Sequence, residues 1–158
     1  MSLRDSRIAG VSAVTAAAGA ALLGLVLPLA APAAAATPTI HFSEIYYNSP
    51  GTDRGGNTSL NGEWVQITNG GSRAASLTGW TVRDAANHVY TFGRYTLGAH
   101  ASVRVHTGSG GNTAANRYWG LHWYVWNNDK DTARLRNSAG RAVDSCSYNN
   151  SHRAWTAC

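Results

Sequence analysis

The chain has 158 residues, 13 % of them charged, and a formal net charge of +5. That length excludes more than one ordinary domain. The charge is too small to decide for or against a polyanionic partner.

Taken in chain order, the first element is an export signal. Arg4 and Arg7 give a positive start, and residues 8–27 are apolar apart from small residues such as Gly10, Ser12 and Gly24. Pro28 and Pro32 then interrupt a helix, and Ala34, Ala35 and Ala36 supply the small side chains that signal peptidase accepts. The pattern predicts a signal helix over residues 1–36, cut after Ala36, and a secreted mature chain from Thr37 to Cys158 with no membrane span. The alternative is a retained anchor, because the apolar stretch is about long enough to cross a bilayer. Losing Arg4, Asp5 and Arg7 lowers the net charge from +5 to about +4.

No stretch after Thr37 sustains a helical period. Short alternating runs separated by Gly, Asn, Asp and Ser clusters predict an all-β antiparallel sandwich of roughly eight or nine strands. In residues 39–48, Ile40 and Phe42 share one parity and Ile45 and Tyr47 the other, so a bulge is expected around Glu44. Residues 49–62 read as a polar loop with nothing to pack. In residues 63–69, Val65 and Ile67 face inward while Trp64, Gln66 and Thr68 take the other face. Asn69-Gly70-Gly71 is a turn. Leu77, Trp80 and Val82 are predicted core, with a tight bend at Gly79, and residues 85–88 turn the chain into a strand over 89–92. Val103 and Val105 alternate with Ser102, Arg104 and His106, and Gly108-Ser109-Gly110-Gly111 ends that run. Tyr118-Trp119 and the alternating run 121–126 follow. A polar turn over 127–131 leads to Ala133 and Leu135, which alternate with Arg134 and Arg136. After a hairpin turn at 137–140, the last strand is expected over 143–148. Cys146 and Cys158 in an exported chain default to a disulfide, which would hold the tail; free thiols or intermolecular pairing are the alternatives.

An ordered set of these segments is similar to a known family. It comprises Ile40-His41-Phe42-Ser43-Glu44-Ile45, Glu63-Trp64-Val65-Gln66-Ile67-Thr68-Asn69, Leu77-Thr78-Gly79-Trp80-Thr81-Val82-Arg83-Asp84 and Val103-Arg104-Val105-His106-Thr107-Gly108. Trp126-Asn127-Asn128-Asp129 and Asn137-Ser138-Ala139-Gly140 close it. Together they resemble the lamin tail domain of nuclear lamins, which also occurs in exported bacterial proteins. The resemblance implies an immunoglobulin-like sandwich over residues 37–158 and an accessory or interaction role. No coiled-coil rod or prenylation motif accompanies it, so filament roles are not implied.

Most catalytic templates fail. There is no Gly-x-Ser-x-Gly elbow, no His-Glu-x-x-His and no phosphate loop ending in Lys, so no catalytic residue and no cofactor are expected. The resemblance places Glu44 near Glu63, a pair that could serve as acid and base or simply cap backbone groups. The six histidines are scattered without ligand spacing. Asn127, Asp129 and Asp131 are a calcium candidate by alternation, but an EF-hand needs Gly at the sixth position and Glu at the twelfth, where this chain has Thr132 and Ser138; a polar turn explains them as well.

The binding candidates are Arg104, His106, Arg134, Arg136, Trp119 and Trp126. If the strands bearing the arginines are neighbours, a basic stripe results; otherwise those arginines only keep the surface soluble. In 121–126 both parities carry aromatic rings, so one set is expected either to be exposed for stacking or to cover the end of the sandwich, with core packing the favoured reading for each Trp. The reading is a secreted, non-catalytic binding module for an envelope polymer, glycan, nucleic acid or protein. The alternatives are a small extracellular hydrolase or nuclease accessory protein, and a self-associating structural envelope protein.

Overall fold

The computed structural model describes residues 37–158; the expected signal helix lies outside the described residues. Eleven strands and one short helix follow one another: β1 Ile40–Tyr46, α1 Asn57–Leu60, β2 Trp64–Asn69, β3 Ala75–Ser76, β4 Thr81–Arg83, β5 Val89–Thr91, β6 Thr96–Leu97, β7 Ser102–His106, β8 Asn116–Tyr118, β9 Lys130–Arg136, β10 Ala142–Asn149 and β11 Trp155–Ala157. They form a five-stranded sheet in the order β11-β1-β2-β7-β8 and a four-stranded sheet in the order β10-β9-β4-β5, with β3 and β6 as a small two-stranded corner. Every pairing is antiparallel except β7 with β8. The architecture is an immunoglobulin-like β-sandwich. Among the described residues no helix is long and apolar enough to cross a membrane.

The alternation read from the sequence builds the core. Phe42, Ile45, Tyr47, Val65, Ile67, Val103 and Val105 from the larger sheet meet Val82, Tyr90, Ala133, Leu135, Cys146 and Tyr148 from the smaller one. The parity switch in β1 is a bulge: the register to β2 shifts between Phe42 and Glu44. The extra residue, Ser43, lets Ile40 and Phe42 point inward before it and Ile45 and Tyr47 after it. A second shift breaks β10 between Ala142 and Asp144. The two irregularities meet across the sandwich, where the Phe42 backbone N–H donates to Asp144 Oδ2 at 2.7 Å. A disulfide joins Cys146 of β10 to Cys158 just beyond β11, with the Cα atoms 5.6 Å apart. One edge of the sandwich is therefore closed by a charge-assisted hydrogen bond and a covalent staple.

Four expectations need correction. Residues 121–126 form an irregular loop, not a strand; the alternation there is broken because Val125 and Trp126 are both buried. The loop 49–62 does pack, since α1 buries Leu60. The tail beyond 148 contributes a further strand, β11, too short to show a period. Trp80 lies at the border of the core rather than inside it.

Candidate functional site

Alternation fixes what the outer face of the five-stranded sheet must show. With Ile45, Val65 and Val105 turned inward, Tyr46, Trp64 and His106 are turned outward. Pairing then aligns them. Trp155 faces Tyr46, Tyr46 faces Trp64, Trp64 faces His106, and His106 faces Tyr118. One ring from each of the five strands thus stands in a single row across the sheet.

The rings support one another. Tyr46 stacks on Trp64 with centroids 5.6 Å apart, and His106 stacks on Tyr118 at 5.0 Å. The Arg104 guanidinium lies 4.0 Å over the Trp64 ring, a cation–π contact that covers this indole. Trp155 at the free edge is 45 % exposed. His106 Nδ1 sits 2.8 Å from the Asn61 carbonyl oxygen and Nε2 sits 2.9 Å from Asn116 Oδ1, so both nitrogens are engaged in holding the ring plane.

The Gly108–Gly111 segment explains itself against this row. Asn57 and Asn61 donate side-chain N–H groups to the Ser109 carbonyl, and Ser109 N–H donates back to Asn57 Oδ1. A Cβ on Gly110 would come within 2.5 Å of the Tyr118 ring. Glycine is needed there so that the loop can lie flat against the tyrosine.

A polar row runs beside the rings, one pleat along: Ala157, Glu44, Gln66, Arg104 and Asn116 are successive register partners. Arg104 Nε donates to Gln66 Oε1 at 3.1 Å, Gln66 Nε2 donates to Ser43 Oγ at 3.0 Å, and the Thr68 hydroxyl links Ser43 to Ser102. The bulge residue Ser43 is thereby the anchor of a network that fixes these side chains.

Beneath the row, at the start of β2, Glu63 is buried with 1 % exposure. Its Oε2 accepts from the Thr107 hydroxyl at 3.0 Å and from the Val125 N–H at 3.2 Å. Among the described residues Oε1 has no hydrogen-bond partner, nor has the buried Trp126 Nε1. Burial outweighs the hydrogen bonds that favour the charged form and pushes the Glu63 carboxyl up to about 8. Burial also raises the Tyr148 hydroxyl, with the Asp131 and Glu63 carboxyls adding to the shift; that hydroxyl donates to the Asn127 carbonyl at 2.6 Å.

The family model of the lamin tail domain matches residues 33–150, nearly the whole of this sandwich. The chain belongs to the lamin tail domain family. No curated protein matches it. The family is one of immunoglobulin-like interaction domains rather than of catalysts.

Within this lamin tail domain the residues expected to form a site are scattered. Arg104 and His106 do share the outer face of the five-stranded sheet, but Arg134 and Arg136 lie on β9 in the other sheet, so no continuous basic stripe forms. Each β9 arginine makes one hydrogen bond: Arg134 Nη1 donates to the Asp84 carbonyl and Arg136 Nη1 to the Gly140 carbonyl. They line one wall of an open groove of about 800 Å³ along the stapled edge, beside Asp144 and Cys146. Trp126 is 1 % exposed and belongs to the core, with Trp119 packed edge-on against it at 6.2 Å. Trp126 offers no free face and Trp119 is half-buried against the core; the exposed ring of that loop is Trp123, at 63 %.

Glu44 and Glu63 stand on opposite faces of the sheet, Glu44 opposite Gln66 and Glu63 beside the inward Val65; they cannot act as a pair. Asp131 accepts four N–H groups, from Ala85, Thr132 and the backbone and side chain of Asn127, which is the geometry of a polar turn. Among the described residues no three His, Cys, Asp or Glu gather where a metal could sit. One histidine does meet a carboxylate: His88 Nδ1 is 2.6 Å from Asp84 Oδ2 while His88 N–H donates to Oδ1, so Asp84 closes a turn.

The ring row was hidden from sequence reading because its five members come from five separate segments. Trp64 and His106 carried the signal, each being an aromatic residue at an outward position.

Proposed function

We propose that this is a secreted, non-catalytic binding module that engages an envelope polymer through the outer face of its five-stranded sheet. The observation that carries the reading is the in-register row Trp155–Tyr46–Trp64–His106–Tyr118. Outward positions of a sheet that faces water are normally polar. In that line Trp155 is exposed, Tyr46, His106 and Tyr118 are half-buried, and Trp64 is 9 % exposed beneath Arg104; aromatic surface left open on either side of the arginine suits a ligand with flat apolar faces. The neighbouring row of Glu44, Gln66, Arg104 and Asn116 supplies donors and acceptors beside it. The signal-like residues 1–36 and the disulfide fit an exported product.

Co-sedimentation of the protein with an envelope fraction tests this. Trp155→Ala, at an exposed edge position, is expected to weaken binding about tenfold while leaving the melting temperature nearly unchanged. Undiminished binding by Trp155→Ala and Tyr118→Ala together would remove the face from consideration.

A further inference from the structure

Resting on the reading that this face is the binding surface, we infer that its ligand is a neutral, extended glycan whose chain runs across the strands along the ring row. Three features point to this class. The first is length. Neighbouring strands lie about 4.8 Å apart, so the four steps from Trp155 to Tyr118 cover roughly 19 Å. The Arg104 guanidinium caps the buried Trp64 in the middle of that span and leaves rings open on either side of it, a length for an oligosaccharide and not a pocket for one sugar. The second is the pairing of apolar and polar rows. Pyranose rings present an apolar face to an aromatic ring and hydroxyls at their rim. One pleat away from the rings, the Glu44 side chain makes no hydrogen bond among the described residues, and Arg104 donates from Nε to Gln66 while its guanidinium plane lies over Trp64. A free carboxylate acceptor and free guanidinium donors are the groups that grip neighbouring hydroxyls.

The third feature is charge. The strand positions of this face carry one arginine, Arg104, and one glutamate, Glu44, separated by Gln66 in the same row. The formal charges cancel. A polyanion gains its affinity from several cationic contacts and the counterions they release, and here it would meet Glu44 instead. Single-stranded nucleic acid also stacks on rings, but it needs a positive groove beside them to follow its backbone. The arginines that could make one, Arg134 and Arg136, are on the other sheet.

The full chain is tested by affinity electrophoresis in gels containing hydroxyethylcellulose and by calorimetry with chitohexaose, in parallel with oligo-dT and polyphosphate. Binding of at least one neutral glycan is expected, changing less than about twofold between roughly 0.05 M and 0.5 M salt. Trp155→Ala and Tyr46→Ala should each weaken it about tenfold, and Glu44→Ala a few-fold. Should Tyr46→Ala melt early, Trp155→Ala and Tyr118→Ala carry the same test. Salt-sensitive capture of oligo-dT or polyphosphate that the same variants abolish overturns the glycan but leaves the face as the binding surface. So does face-dependent binding to the envelope fraction with neither glycan bound. A concentration-dependent dimer that Trp155→Ala disperses overturns the glycan in favour of a second copy. Binding that ignores every ring substitution overturns both this inference and the face itself.

Discussion

The outer faces of the two sheets make opposite use of their outward positions. On the five-stranded sheet, rings align from edge to edge and one charge of each sign cancels. On the four-stranded sheet, Arg83 stands directly opposite Arg134, and Arg136 opposite Thr81. Like charges at facing positions destabilise a sheet. The fold answers by giving each arginine an acceptor: Asn87 Oδ1 for Arg83, the Asp84 carbonyl for Arg134 and the Gly140 carbonyl for Arg136. The lesson is that a cluster of charge is not by itself a site. Each of these arginines has one acceptor in or beside a turn, whereas the rings of the other face stack on one another.

The sharpest way to probe the ring face is from beneath. Glu63 supports the start of β2, and its folded value of about 8 lies above the ordinary 4.5. Because the native state holds the proton more tightly, stability is greatest below the unfolded value and is lost as pH rises through the folded one. Chemical denaturation should therefore show stability falling between pH 4.5 and pH 8, by up to about 1.4 kcal/mol per pH unit, and levelling above that. Glu63→Gln, which stays neutral at every pH, should flatten the curve and make the domain more stable at pH 9. A wild-type curve that rises across this window would contradict the assignment.

Removing the staple should have the next largest effect. Cys146→Ser with Cys158→Ser opens a twelve-residue separation, worth on the order of 3 kcal/mol in the chain-entropy model. Since β11 is held to β1 through only three register pairs, the loss should be local as well as global. Amide exchange at Trp155 and Thr156 should rise before the rest of the sheet opens. Equal protection across β11 in both forms would show that the staple does not position the Trp155 end of the row.

A smaller effect is expected at the opposite end. Gly110→Ala places a methyl group against the Tyr118 ring. The tyrosine must turn away from His106, at a cost of about 1 kcal/mol in stability and a few-fold in ligand binding. Tyr118→Ala combined with Gly110→Ala should show no further loss of affinity, because both act on the same ring.

Much of the fold was legible in the sequence. Alternation in β1, β2, β7 and β9 named the inward residues, and the switch at Glu44 located the bulge before any coordinates. Side-chain period is a local property, so it survives in a single chain. Register is not local. Which outward ring meets which depends on strand order, and five segments spread from Tyr46 to Trp155 carry no shared pattern. The same limit left Trp126 open between the core and a binding surface. Its alternation with Tyr124 suggested a strand with an exposed aromatic side, but the loop instead tucks Val125 and Trp126 together under Glu63, whose Oε2 holds the Val125 N–H. Arg134 and Arg136 were legible as outward, but whether their strand lies beside that of Arg104 was open in the sequence, and the strand order puts it in the other sheet.

The smallest predicted effect is the one that bears hardest on the comparison. Arg134→Ala with Arg136→Ala removes two positive charges from the four-stranded sheet and leaves the ring row untouched. If those arginines serve only their turns, affinity for the envelope fraction should stay within about twofold, and its dependence on salt should not change. Stability should fall by less than about 1 kcal/mol, because two exposed hydrogen bonds to carbonyls are lost while the repulsion between Arg83 and Arg134 is relieved. A tenfold loss of binding with a shallower salt dependence would invert the assignment of the two faces: the arginines would be the contact surface, and the rings a structural cover for the outside of the sheet.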